Sequence, residues 1–300
     1  MKQSGGLSTG IKAMPAPAVR TRRRRLPKLN GRLYIGLTMI IILGLSSFIL
    51  PLFTKIDPAV QGTYLKNLPL TAKHPFGTNA LGQDIFWYLV FSIRNSLLLG
   101  VGVSIGITAI STFIGLSAGY IGGWYERIVV VFIDTFITIP VLPILIVLGA
   151  LVRGNTSFAI VGVILICFGW AWNARTIRSM ALSLREREFI NMARFSGANT
   201  FDIIFREIFP YVYAYMVVGF INTILFAINT EAALAVIGLS KVQVPTLGSI
   251  IFWALNYNAL MIGQTTWIIA PIVATVALFL GLFLTSTGFN DLFAERRGVA

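Results

Sequence analysis

Charge is what this 300-residue chain has least of: Asp, Glu, Lys and Arg make up 12% of it, against 56% hydrophobic residues. A water-facing surface cannot be assembled from that composition, which excludes an ordinary soluble domain pair and points to a bilayer. Acidic residues are scarcer than basic ones, 11 against 24, for a formal net charge of +13. The single cysteine, Cys167, lies in an apolar run and leaves neither an internal disulfide nor a cysteine metal cluster. His74 is the only histidine, so no second imidazole or thiolate joins it in a metal site, and it reads as a loop residue. No glycine is followed by lysine, which removes the phosphate-binding Walker sequence, and no other nucleotide motif replaces it. Nor do spaced motifs supply a nucleophile, a base and an orienting group together. The chain reads as neither an ATPase nor another enzyme, with no cofactor of its own.

What is present is a series of apolar runs long enough to cross hydrocarbon, which needs about 20 helical residues. The fold class expected is an all-α integral membrane protein with six transmembrane helices: Leu33–Phe53, Ser96–Gly123, Ile128–Val152, a shorter Phe158–Trp172, Tyr211–Leu239 and Trp267–Phe289. Residues 1–32 form a basic tail, read as disordered. Residues 54–95 form a loop whose aromatic end, Leu81–Ile93, reads as a helix lying at the headgroup level. The permease-like core covers 96–289, and 290–300 is a second tail. Five glycines in the second span, Gly100, Gly102, Gly106, Gly115 and Gly119, allow close helix packing or a path through the bundle. With the termini inside, the inner segments hold 18 of the 24 basic residues, so the positive-inside rule places both termini in the cytoplasm. The basic tail lacks aromatic interleaving, which argues for lipid contact and against nucleic acid.

Between the fourth and fifth runs lies a polar island, residues 185–210. Phe189, Met192 and Phe195, then Ile203, Ile204 and Ile208, recur at three and four, the spacing of amphipathic helices. Gly197 followed by Ala198, Asn199 and Thr200 reads as a helix stop and a new N-cap, and Pro210 as the end of the second arm. The expected product is a protruding cytoplasmic helical hairpin. Two carboxylates fall inside spans, Asp134 and Glu231, and an ionisable group there is by default a candidate for gating or the pathway, with local structural bonding as the alternative.

The polar island resembles the cytoplasmic coupling loop of ABC-importer permeases. Gly197 and Pro210 keep that family's spacing and Ala193 matches its second alanine. Asn191 and Met192 stand where Glu and Ala are usual, Phe209 stands for leucine, and Glu188, one turn earlier, is the candidate substitute for the glutamate. The run from His74 through Asp84 is similar to the His-Pro-Phe-Gly-Thr-Asp and Leu-Gly-Arg-Asp pattern of the dipeptide, oligopeptide and nickel permeases, with Asn79 for the aspartate and Gln83 for the arginine. Ala118 to Gly123, and Glu231 to Leu234 followed after three residues by Gly238 and Leu239, also look like motifs of that family, and its C-type member of the permease pair is the nearest likeness.

The resemblance implies a type I importer permease fold in the plasma or inner membrane. It implies a coupling surface made of Glu188, Asn191, Met192, Ala193, Phe195, Gly197, Ile208 and Pro210. It also implies a second homologous permease, two ABC ATPase subunits carrying ATP and Mg, and an extracytoplasmic solute-binding protein delivering di- or oligopeptides. Nickel complexes and oligosaccharides are the alternative cargoes. An ion-coupled secondary transporter is the competing class, and for it only Asp134 and Glu231 offer anything.

Overall fold

A computed structural model describes residues 30–151, 158–237 and 244–297. The tail up to residue 29, Arg153, Lys241 and the pair Gly238–Leu239 that completes the motif after Glu231 lie outside the described residues. Among the described residues the chain is helical with no strand, only an isolated bridge between Thr78 and Asp84. The helices are α1 Gly31–Ile49, α2 Ile85–Ile121, α3 Gly123–Thr138, α4 Val141–Leu151, α5 Phe158–Arg185, α6 Glu188–Phe195, α7 Thr200–Asp202, α8 Phe209–Val236, α9 Leu247–Asn256 and α10 Thr265–Arg297. Five helical segments are long and apolar enough to cross a membrane: Gly31–Phe53, Ile85–Ile121, Ala159–Arg185, Thr200–Val236 and Thr265–Ala294. The pair Gly123–Thr138 and Val141–Leu148, bent by 74°, makes a sixth if it counts as one span.

Four expected boundaries move. The aromatic stretch Leu81–Ile93 is not a separate interfacial helix: Asp84 caps α2 by accepting from the Phe86 and Trp87 N–H groups, and α2 then runs unbroken for 37 residues. The third run, Ile128–Val152, is not straight. Pro140 forces Ile139 into an extended conformation, ψ 119°, and the helix breaks there. The segment read as an outer loop, 240–266, contains α9. Pro210 does not end the second hairpin arm. A π-helical turn, Ile203–Ile208, precedes it, and the wider turn relieves the clash between a proline ring and the carbonyl four residues back, so α7, this turn and α8 continue as one helix.

Small residues set the closest approaches, as membrane helices without a hydrophobic drive between them require. A Cβ on Gly115 or Gly119 would collide with the α5 backbone at Ala174 and Arg178, one on Gly106 with Ile166, and one on Gly100 with Ile224 and Ile228 of α8; Gly102 faces open space. On the other side of the bundle, Gly36 of α1 lies against Thr285 and Gly281 of α10. Apolar side chains left outside, such as Leu45, Phe113 and Val276, are those a hydrocarbon solvent accommodates without penalty.

Candidate functional site

The hairpin begins where α5 ends. Gly197 adopts φ +82°, a conformation that costs a side-chain-bearing residue about 1–2 kcal/mol, and turns the chain between α6 and α7. Asn199 then caps the second arm, its Oδ1 accepting from the Asp202 N–H at 2.8 Å. One face of the hairpin is packed: Ile190, Ile203, Ile204 and Ile208 are buried with Leu116 and Tyr120 of α2, Ile177 and Ala181 of α5, and Val212 of α8. Phe189 stacks on Tyr211 at 5.2 Å between ring centroids. The other face of α6 carries Glu188, Asn191, Met192 and Phe195, spaced at three, four and seven, and all four are exposed. Phe195 is 92% exposed and Met192 68%, and on the second arm Phe201 is 66% exposed with its ring against Phe205. Exposed large apolar groups clustered on a polar element mark a contact surface.

The structure therefore divides the expected coupling residues. Glu188, Asn191, Met192, Phe195, Gly197 and Pro210 are at the surface, Ala193 is half-buried and Ile208 is fully buried, holding the hairpin from beneath. Ile190, which the three-and-four pattern does not include, is the inward-facing residue of α6. Its signal was the unbroken pair Phe189-Ile190, which fits either face.

The carboxylates are not brought together. Glu231 of α8 is fully buried and its Oε1 accepts from the Thr246 hydroxyl at 2.9 Å. Thr246 and Ser249 cap α9 reciprocally: the Ser249 N–H donates to Thr246 Oγ1 at 3.0 Å and the Thr246 N–H to Ser249 Oγ at 2.8 Å. The Leu247 N–H donates to Ser96 Oγ at 3.1 Å, Asn95 donates to the Pro245 carbonyl at 2.8 Å, and the Tyr88 hydroxyl lies 3.4 Å from Ser249 Oγ. A Cβ on Gly248 would overlap Ala232. Glu231 thus holds the start of α9 against α8 and α2. Asp134 is about half exposed and pairs with Arg175 of α5 at 3.4 Å.

His74 is more than a loop residue. Its Nδ1 meets Asp84 Oδ2 at 2.6 Å, with the Tyr64 ring edge-on at 4.6 Å, so it braces the carboxylate that caps α2. Asn79 and Gln83 are buried and bonded to each other: Asn79 Nδ2 donates to Gln83 Oε1 at 2.9 Å, and Asn79 Oδ1 accepts from the Leu81 and Gln83 N–H groups. Among the described residues no group of three or more His, Cys, Asp or Glu is placed to hold a metal ion.

Residues 111–299 match the family of binding-protein-dependent transport system inner membrane components, the greater part of the chain and all of the hairpin. Among curated relatives, the oligopeptide transport system permease protein OppC of Mycobacterium tuberculosis is 32% identical over 185 residues, 61% of this chain and 63% of that protein. The match thus spans somewhat under two thirds of the mycobacterial relatives' own length. OppC of Lactococcus lactis subsp. cremoris is 29% identical over 232 residues, 76% of this chain and 77% of that protein. The dipeptide transport system permease protein DppC of Bacillus subtilis is 29% identical over 256 residues, 81% of this chain and 79% of that protein. Spans, hairpin and family match converge, and the chain belongs to the binding-protein-dependent inner membrane components, the permeases of ABC importers.

Proposed function

We propose that this chain is one half of the pathway of an ATP-driven peptide importer. It pairs with a second, homologous permease, and two ABC ATPase subunits carrying ATP and Mg drive the pair from the cytoplasm. An extracytoplasmic binding protein delivers di- or oligopeptides. The observation that carries the reading is the exposed face of α6, Glu188, Asn191, Met192 and Phe195, on a hairpin whose opposite face is packed into the bundle. A surface built that way transmits force, because whatever grips it moves α5 and α8, which are continuous or nearly so with its two arms. The peptide cargo rests on the names borne by the relatives, oligopeptide and dipeptide permeases alike.

The asymmetry of the basic residues supports a cytoplasmic hairpin with both termini on the same side. Residues 54–84 and α9, at the opposite end of α2, then face outward, where a binding protein docks. Glu231 acts as the anchor of α9 and Asp134, half exposed, is the pathway or gating candidate.

The test is purification of the chain from its native membrane in mild detergent. A second permease and ATPase subunits are expected to co-purify, and proteoliposomes of the complex are expected to accumulate labelled peptides only with ATP and binding protein present. Recovery of the chain alone, still transporting, refutes the importer reading in favour of a secondary transporter. Recovery of the complex with nickel or oligosaccharide uptake instead corrects the cargo.

A further inference from the structure

The two arms of the hairpin lead out of α5 and into α8, whereas α3 is continuous with neither arm. Helix α3 is sparsely packed, with Ile133 its one buried residue. Toward the Pro140 end Phe136 packs on Phe168 and Trp170 of α5, with ring centroids 5.9 and 5.3 Å apart, and two ion pairs also tie α3 to α5. Asp134–Arg175 is about half exposed on both sides, 49% and 55%, and a pair so solvated holds little. Glu126–Arg178 is a close contact between Glu126 Oε1 and Arg178 Nη2, with side-chain exposures of only 16% and 24%.

This second pair sits in a junction where cations from the hairpin side converge on the end of α2. Gly122 separates α2 from α3 and Gly123 opens α3, with φ of +73° and +64°. Arg185, at the end of α5, occupies the space a side chain on Gly122 would need. Arg194 of α6 donates to the Tyr120 hydroxyl at 3.2 Å and lies over its ring at 5.1 Å from the centroid. The C-terminal end of a helix carries partial negative charge, so Arg185 and Arg194 are held there electrostatically as well. Glu126 is the residue of α3 that forms an ion pair in this junction, and its partner Arg178 lies two turns before the hairpin.

We propose that Arg178 is a positioning residue for coupling: through Glu126 it makes α3 follow α5, so that motion of the hairpin reaches the bend at Pro140. The claim rests on the reading of the hairpin as the ATPase contact. Charge and geometry both matter in such a link, so neutralising either partner releases α3 while leaving the exposed face of α6 intact.

The experiment uses the complex in proteoliposomes with Arg178→Gln, Glu126→Gln and the charge exchange Glu126→Arg/Arg178→Glu. Both single variants are expected to retain the ATPase subunits and hydrolyse ATP, while labelled-peptide uptake per ATP falls about tenfold, the scale of coupling carried by a packed network. The exchange is expected to restore most of it. A loss of packing alone would lower uptake and hydrolysis together and would not respond to the exchange. Unchanged uptake per ATP in both single variants, or no recovery in the exchange, overturns the proposal.

Spin labels at Val131 of α3 and Val163 of α5, both exposed, give a second readout in the chain by itself, in a Cys167→Ser background. Their distance distribution is expected to broaden in Arg178→Gln and to narrow again in the exchange; a distribution that stays narrow also overturns the link. Failure of the wild-type chain to capture an ATPase sinks the importer reading instead, and the distance measurement still decides whether Arg178 ties α3 to α5.

Discussion

The two ends of α2 are built on opposite principles. At its start, polar groups are buried and bonded inward: Asn79, Gln83, Asp84, Thr246, Ser249 and Glu231 are nearly or wholly inaccessible. At its far end the hairpin leaves Met192, Phe195 and Phe201 outside, with Phe205 partly so. A buried polar network is rigid because every member lost leaves another unsatisfied, at about 1–3 kcal/mol each. An exposed apolar face adds nothing to the stability of the subunit that carries it. One end keeps its polar groups inside and the other leaves its apolar groups outside.

The comparison breaks most severely if Asn79→Ala is tolerated. That change strands the Leu81 and Gln83 N–H groups in a buried site, and a loss of about 3 kcal/mol is expected, seen as a lower thermal midpoint in detergent. The double change Asn79→Asp/Gln83→Arg replaces an amide pair by an ion pair and is expected to stay within about 1 kcal/mol of the parent. Truncation of Ile190 to Ala, on the packed side of the hairpin, should cost about 2–4 kcal/mol by the cavity it leaves.

Glu231→Leu removes the acceptor of the Thr246 hydroxyl and is expected to cost about 2 kcal/mol, with Glu231→Gln milder because an amide still accepts. Equal losses in the two variants would show that the charge itself is required. Gly197→Ala should cost about 1 kcal/mol, through its left-handed backbone alone. Phe195→Asp sharpens the contrast at its other limit. Its thermal midpoint should match the parent's, while capture of the ATPase subunits falls more than about tenfold, as for a contact residue at the centre of an interface. A lowered midpoint with capture intact would reverse the assignment of the two hairpin faces.

Much of this organisation was legible before any tertiary structure. The apolar runs located the spans, Gly197 and Asn199 located the hairpin turn, and the motif spacing named the family. The misses share one cause, that neighbours in space decide what a local signal does. Pro210 signals a helix end, but a π-helical turn before it lets the arm run into α8. Pro140 is the same residue type without such relief, and there the helix breaks. Met192 and Phe195 share a face by period, and the packing of Ile190 with α2 and α5 is what leaves that face outside.

The sequence by itself determined that this is an integral membrane protein and where most of its long apolar segments lie, because these depend on composition and on periods within one helix. Only the tertiary structure decided which charges meet. Arg178 finds Glu126 across 52 residues of chain, Asp134 finds Arg175 of α5, and Glu231 meets Thr246 at the start of α9. No local pattern encodes such pairs, since the stabilisation of a buried polar group depends wholly on what another element brings within about 3 Å of it.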